Sequence, residues 1–174
     1  MKNSQKGIYT LTFAAMLTAM SVLIGIFCKS FLNFGGGLFR ITFENLPIIL
    51  SGVLFGPVIA AAIGVASDLI SYLLSPQIYP PNLVVTLGAA AIGFVSGFIS
   101  HVAIKRRGYA QIIVSASLAH LLGSVLIKSI GLYQFYGWAV FWRVPMYFVI
   151  AGVEILLICL LYKNKAFRKL IDRI

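Results

Sequence analysis

Six long apolar runs fill most of this sequence, and only short polar, glycine-rich or proline-rich stretches separate them. They span residues 8–28, 41–55, 58–74, 83–104, 109–132 and 139–162. About 20 consecutive apolar residues are what a helix needs to cross the hydrocarbon core of a bilayer. Charged residues make up 10% of the chain and hydrophobic residues 60%, with a mean hydropathy of +0.99, whereas soluble domains carry roughly 25% charged residues. A soluble fold of this size would leave about a third of its surface facing water, and this composition offers too little polar surface to cover it. The expected fold is therefore an all-α bundle of six transmembrane helices forming one integral membrane domain over residues 1–174.

The second run is short, about 22 Å at 1.5 Å per residue, so its helix should start below the membrane surface under a covering loop. Gly56-Pro57 marks a turn followed by a helix start, since proline loses little at a first helical position. Residues 75–82, with Pro76, Pro80, Pro81 and Asn82, read as a loop, and Tyr133 to Trp138 as an aromatic one. The first run follows Lys2 and Lys6 but lacks a convincing cleavage site, so it reads as a membrane helix rather than a signal peptide. Cys28 and Cys159 fit no metal or redox spacing and read as small apolar helix residues.

Of the fourteen basic residues, ten fall on the side that six spans would give to both termini: Lys2, Lys6, Lys105, Arg106, Arg107, Lys163, Lys165, Arg168, Lys169 and Arg173. The bias of Lys and Arg toward cytoplasmic loops makes that side the cytoplasm. The net charge of +10 is then a topology signal with added attraction to anionic lipid; nucleic acid is not an expected partner.

Lys29, Arg40, Lys128 and Arg143 remain, all at the outer ends of their helices and against the bias. They either reach out to headgroups or surround a shared anion site. Asp68 lies roughly 16 Å along its helix from Pro57, where a carboxylate needs a partner: an ion pair with Arg40 or Arg143, or a ligand's hydrogen-bond donors. Glu44, four residues from Arg40, reads as a local helical pair with it. Glu154, in the inner half of the last helix, has His120 as a candidate partner and does not belong to an outer site. His120 itself reads as an interhelical hydrogen-bonding residue, and His101 as reaching the cytoplasmic interface. Neither histidine has a metal-ligand partner at i+3 or i+4, and no metal or cofactor site is expected. Gly88, Gly93 and Gly97 should permit close helix packing. Aromatic residues crowd the outer loops, partly as an interfacial belt, yet Tyr136 and Trp138 lie close to Arg143, and Tyr79 close to Asn82. Such a rim suits a flat, polar, anionic molecule.

The stretch from Phe39-Arg40-Ile41-Thr42-Phe43-Glu44-Asn45 through Leu46-Pro47-Ile48-Ile49-Leu50-Ser51-Gly52 resembles the second helix of the vitamin-binding S components of energy-coupling-factor (ECF) transporters. Two further stretches are similar to the folate-specific members: Phe55-Gly56-Pro57 with Ser67-Asp68-Leu69-Ile70 and Tyr72-Leu73-Leu74-Ser75-Pro76, and Tyr79-Pro80-Pro81-Asn82 leading into Thr86-Leu87-Gly88-Ala89. The likeness is good over residues 13–97; beyond them it rests on helix layout and composition.

The resemblance implies a multi-pass subunit of the bacterial plasma membrane that captures a vitamin outside and performs no chemistry of its own. It would dock on a transmembrane T component coupled to two ATPases and carry its pocket inward by toppling. Ala15-Met16-Leu17-Thr18-Ala19 matches the family's A-x-x-x-A docking motif, in which small residues admit a partner helix. For folate, Asp68 would accept the adjacent N–H donors of the pterin, and Asn82 would read its mixed edge. Trp138, Tyr79 or Phe39 would stack on a ring, and Arg40, Arg143 or Lys128 would meet the glutamate carboxylates. Residues 29–40 and 75–82 are candidate lids. Other vitamins, such as riboflavin or thiamine, are the alternative ligands, though four outer bases disfavour cationic thiamine. An autonomous ion-coupled transporter is less favoured because no inverted repeat is visible. An intramembrane hydrolase lacks a nucleophile motif.

Overall fold

The structure, a computed structural model, describes residues 2–34, 39–75, 80–104, 108–165 and 167–168. Apart from one two-stranded hairpin, it is helical. The first helix, α1, spans Lys2–Phe31. The hairpin that follows pairs β1 (Asn33–Phe34) antiparallel with β2 (Phe39–Arg40), Asn33 opposite Arg40.

The next helix, α2 (Asn45–Phe55), is buried from Asn45 to Leu54. It starts four residues later than the apolar run suggests. Pro47 is the reason: a helix begun at residue 41 would hold this proline in its interior, whereas from Asn45 it falls in the first turn, where backbone N–H groups have no intrahelical partner. Gly56, at φ 87°, turns the chain sharply into α3 (Pro57–Leu74), with proline in its first turn. Only glycine holds that left-handed conformation without strain.

α4 (Leu83–Phe98) is capped by Asn82, whose side chain accepts from the Val84 N–H; a π-helical turn, Ile99–Ala103, extends it. There the His101 Nε2 donates to the Val53 carbonyl at 3.1 Å, one of the carbonyls that the end of α2 leaves without an intrahelical partner. His101 thus ties α4 to α2, a role beyond the interfacial one expected.

α5 (Tyr109–Ala119) continues through a π-helical stretch, His120–Lys128, into α6 (Ser129–Tyr136). The residues expected to form an aromatic loop are helical up to Tyr136, because none of them breaks a helix. Gly137 does, at φ 53°. A 3-10 turn, Gly137–Arg143, then leads into α7 (Val144–Lys163), again with proline at its start. The last helix thus begins later than residue 139.

Among the described residues, four helical stretches are long and apolar enough to cross a membrane: Gly7–Phe31, Pro57–Leu74, Leu83–Ala103 and Tyr109–Lys163. The last has 55 residues and would be about 80 Å long if straight, more than twice the hydrocarbon thickness. It folds back at Gly137, and α7 packs against α5. Leu73, Leu83 and Val58 are among many large apolar side chains on the outside, the surface that lipid would cover.

The tightest packing joins α3 and α4. A Cβ on Gly93 would strike the Ala60 carbonyl, and one on Gly64 the Ala89 carbonyl. Bare backbone therefore meets bare backbone, as expected for Gly93, and Gly97 does the same at Gly56 and Pro57. The core gathers around α2, with Ile48 and Ile49 against Ile92, Ile112 and Ile158.

Candidate ligand-binding cavity

At one end of the bundle the helices enclose a cavity of about 420 Å³, lined by α1, β1, β2, α3, the start of α4, the π-helical stretch, α6 and the start of α7. Ligand pockets run from about 300 to 1,000 Å³. All four bases that break the positive-inside bias, Lys29, Arg40, Lys128 and Arg143, line it together with Glu44 and Asp68. Their four positive and two negative charges leave the walls at +2 (4 − 2).

Local chemistry explains how each base arrives. Lys29 lies in the last turn of α1, and its Nζ donates to the Ser71 carbonyl of α3 at 3.3 Å. Arg40 comes from the hairpin, opposite Asn33, which lines the same cavity. Lys128 closes the π-helical stretch, where i→i+5 bonding widens the turn and keeps His120, Ser124 and Lys128 on the buried side. Gly88 makes room for it, since a Cβ there would come within 2.6 Å of the Lys128 Cγ. Arg143 follows from the 3-10 period of three: Val140 and Arg143 face inward, while Trp138, Phe141 and Trp142 face out.

The pairings are unequal. Glu44 bridges two bases, with its Oε2 at 3.0 Å from Arg40 and its Oε1 at 3.6 Å from Lys128. The Lys128 ammonium also donates to the Asn45 Oδ1 at 3.1 Å. The Arg40–Glu44 pair matches the sequence expectation, but it spans strand and turn rather than one helical turn. Asp68 has no ion pair among the described residues; its Oδ2 accepts from the Thr86 hydroxyl at 2.7 Å. Lys29 and Arg143 likewise have no acid partner among the described residues. Arg143 is only 7% exposed, held over the rings of Tyr136 and Tyr147 at 5.6 and 5.9 Å. Such cation–π contacts suit a guanidinium but leave its charge unmatched.

Of the residues singled out from sequence, Asp68, Arg40, Asn82, Arg143 and Lys128 line the cavity. Asn82 does so with both amide ends engaged, its Nδ2 donating to the Gly131 carbonyl at 2.6 Å and its Oδ1 accepting from Val84 at 2.9 Å. Trp138 does not line it: the side chain is 77% exposed and stacks on Phe141 at 5.4 Å. Tyr79 lies outside the described residues, as does the side chain of Phe39, whose backbone belongs to β2. The two loops taken as candidate lids also fall partly outside them, at residues 35–38 and 76–79.

Sequence reasoning missed Glu44, because its pairing with Arg40 looked complete, and Tyr147, because it sits inside an apolar run. Lys29 was one of the four conspicuous bases without a role assigned to it.

The expected His120–Glu154 pair is present deeper in the bundle. The imidazole Nε2 and a carboxylate oxygen approach to 2.6 Å, at angles outside hydrogen-bond geometry. Ser124, on the cavity wall, comes within 3.4 Å of the same imidazole's Nδ1. Ala15 and Ala19 are exposed on the outer face of α1.

The comparisons with known proteins agree with this architecture. The chain superposes on the crystal structure of FolT bound with folic acid at a TM-score of 0.61, with 23% identity over 84% of this chain and 86% of that one. On the S component of a bacterial ECF transporter the TM-score is 0.67, with 20% identity over 92% and 96%. At these identities the likeness speaks for the fold. An alignment of 114 positions, taking in 60% of this chain, shows 29% identity to the uncharacterized protein MG098 homolog of Mycoplasma pneumoniae and covers 23% of that protein's length. The family model for the ECF transporter substrate-specific component matches residues 9–162. A match running from the first long helix almost to the end of the last, over a membrane-type bundle that encloses a charged cavity, makes this chain a member of the substrate-specific components of ECF transporters.

Proposed function

We propose that this chain captures folate from outside the cell and delivers it inward as the S component of an ECF importer. The observation that carries the reading is the pair of bases without acid partners among the described residues, Lys29 and Arg143, on the wall of a cavity that also presents Asp68. Folate has matching chemistry: a pterin whose adjacent N–H groups suit a carboxylate, and a glutamate tail with two negative charges. Tyr72, Tyr136 and Tyr147 line the same space and offer faces for a planar ring. In this reading Asp68 receives the pterin, and Lys29 and Arg143 receive the tail. Arg40 and Lys128 contribute positive potential beside Glu44, and Asn82 forms wall. Trp138 has no direct part.

The bundle crosses the bacterial plasma membrane six times, with both termini in the cytoplasm. Three of the membrane-length stretches supply one span each, Tyr109–Lys163 supplies two by folding at Gly137, and the short α2 supplies the sixth beneath the hairpin. Energy comes from a T component and two ATPases, which dock through the small exposed residues Ala15 and Ala19; the chain itself has no catalytic role.

A competition panel on detergent-purified protein tests the ligand. Folate should displace a labelled folate, while riboflavin and thiamine should not. Asp68→Ala should weaken folate binding tenfold or more. Unchanged affinity in that variant would remove Asp68 from the site, and preference for riboflavin or thiamine would replace folate as the ligand.

A further inference from the structure

The two acids of the cavity are held in opposite ways. Asp68 has a hydroxyl partner and faces the open space. Glu44 is clamped into the protein. Its backbone carbonyl accepts from the Ser21 hydroxyl of α1 at 2.7 Å, and its carboxylate joins Arg40 and Lys128. Behind the carboxylate stands Gly25, buried on α1 and absent from the cavity wall. A Cβ on Gly25 would lie 2.8 Å from the Glu44 Oε2 and 3.1 Å from the Ser71 hydroxyl. Ser21 and Gly25 are four residues apart and so share one face of α1. That face acts as a shelf: Ser21 fixes the backbone of Glu44, and the bare backbone at Gly25 seats its carboxylate.

We infer that Glu44, seated on Gly25, is a positioning residue for anionic ligands, and that Gly25 sets specificity without touching the ligand. This rests on the anion-binding reading above and deepens it. Arg40 belongs to the hairpin and Lys128 to the π-helical stretch, and both line the cavity. Among the described residues, Glu44 is the one acid that pairs with both. Its fixed charge determines where those two cations stand and restrains the hairpin through Arg40. With Glu44 the charged walls stand at +2 (4 − 2), which two negative groups on the ligand neutralise and one does not. The ligand class favoured is therefore a dianion over a monoanion of the same ring system.

The test uses the full chain in detergent, with folate as the dianion and pteroate, which lacks the glutamate, as the monoanion. Glu44→Gln keeps the shape and removes the charge, Gly25→Ala pushes on the carboxylate, and Gly152→Ala, where a Cβ meets nothing within 4 Å, is the control. Gly25→Ala, which keeps the Glu44 charge and displaces it, should lower the folate-to-pteroate affinity ratio at least tenfold, whereas in the Glu44→Gln background, where there is no charge to displace, Gly25→Ala should leave that background's ratio within about twofold. In ligand-free protein both single variants should also speed hydrogen exchange of the Ile41 amide, bonded to the Leu32 carbonyl at 3.1 Å, at least tenfold, with Gly152→Ala unchanged. Unaltered exchange in Gly25→Ala and Glu44→Gln overturns the positioning role whatever folate does, as do additive effects on the ratio. If the wild-type chain fails to bind folate while exchange responds as expected, the folate reading falls and the seat stands.

Discussion

Replacing Arg143 by glutamine should damage ligand binding far more than it damages the fold. The guanidinium is 7% exposed and has no acid within ion-pair distance among the described residues. Its contacts are the faces of Tyr136 and Tyr147, worth about 0.5–2 kcal/mol at most sites. Keeping an unmatched cation out of water carries an opposing cost, so the stability of the ligand-free protein should change by less than about 1 kcal/mol. Binding is different. Truncating one member of a desolvated charge pair costs about 2–5 kcal/mol. The cavity opens to water on one side, so the lower part of that range applies, about 2–3 kcal/mol. At 1.4 kcal/mol per decade this is a loss of about 30- to 150-fold in affinity. Calorimetric titration of purified Arg143→Gln with folate measures it, and a neutral pterin without carboxylates is the control, whose affinity should stay within about threefold. Folate affinity within threefold of wild type would refute the reasoning. So would an equal loss for the neutral pterin, because Arg143 would then be shaping the cavity rather than pairing with an anion.

Three further outcomes follow from the same geometry. Glu154 is 0% exposed beside His120, so Glu154→Leu alone should cost about 3 kcal/mol or more, whereas the double replacement with His120→Leu should recover most of it; thermal denaturation in detergent compares the two. Gly93→Ala drives a methyl into the Ala60 carbonyl and should destabilise the α3–α4 pair by about 1–3 kcal/mol, while Gly152→Ala should stay within about 0.5 kcal/mol. Ala15→Trp, on the exposed face of α1, should abolish ATP-driven uptake in cells holding the whole transporter and leave folate binding by the purified subunit within about twofold.

The helical content and most helix positions were legible because lipid tolerates so few polar groups that apolar runs stand out from their breaks. Where boundaries slipped, a breaker decided them: Pro47 delayed α2, and the absence of any breaker before Gly137 let α6 run through Tyr136. The four cavity bases were legible for a related reason, since a base on the wrong side of the charge bias has few harmless explanations. The outward orientation of Trp138 was not legible because it depends on a 3-10 turn, whose period of three places Trp138 outside and Arg143 inside. Pairings distant in sequence were not legible at all. Lys128 meets Asn45 across 83 positions, and the approach of Glu44 to Gly25 depends on how α1 leans on α2, which no local pattern encodes.

The scarcity of acids gives the cavity its direction. The chain has four Asp and Glu residues in all. Glu154 is taken up by His120 deep in the bundle, Glu44 is shared by Arg40 and Lys128, Asp68 has Thr86, and Asp172 lies in the tail beyond the described residues. Little remains within the chain to neutralise Lys29 and Arg143. A low-dielectric bundle makes unmatched charge costly, so the ligand-free state carries electrostatic strain that a dianion relieves and a cation aggravates. Linkage turns that relief into stability: ligand at a hundred times its dissociation constant adds about 2.7 kcal/mol to the folded state. On the proposed reading, the residues that make the empty bundle less stable are the ones that would select its cargo. Replacing them with apolar side chains to improve the fold should remove the affinity for anions with the charge.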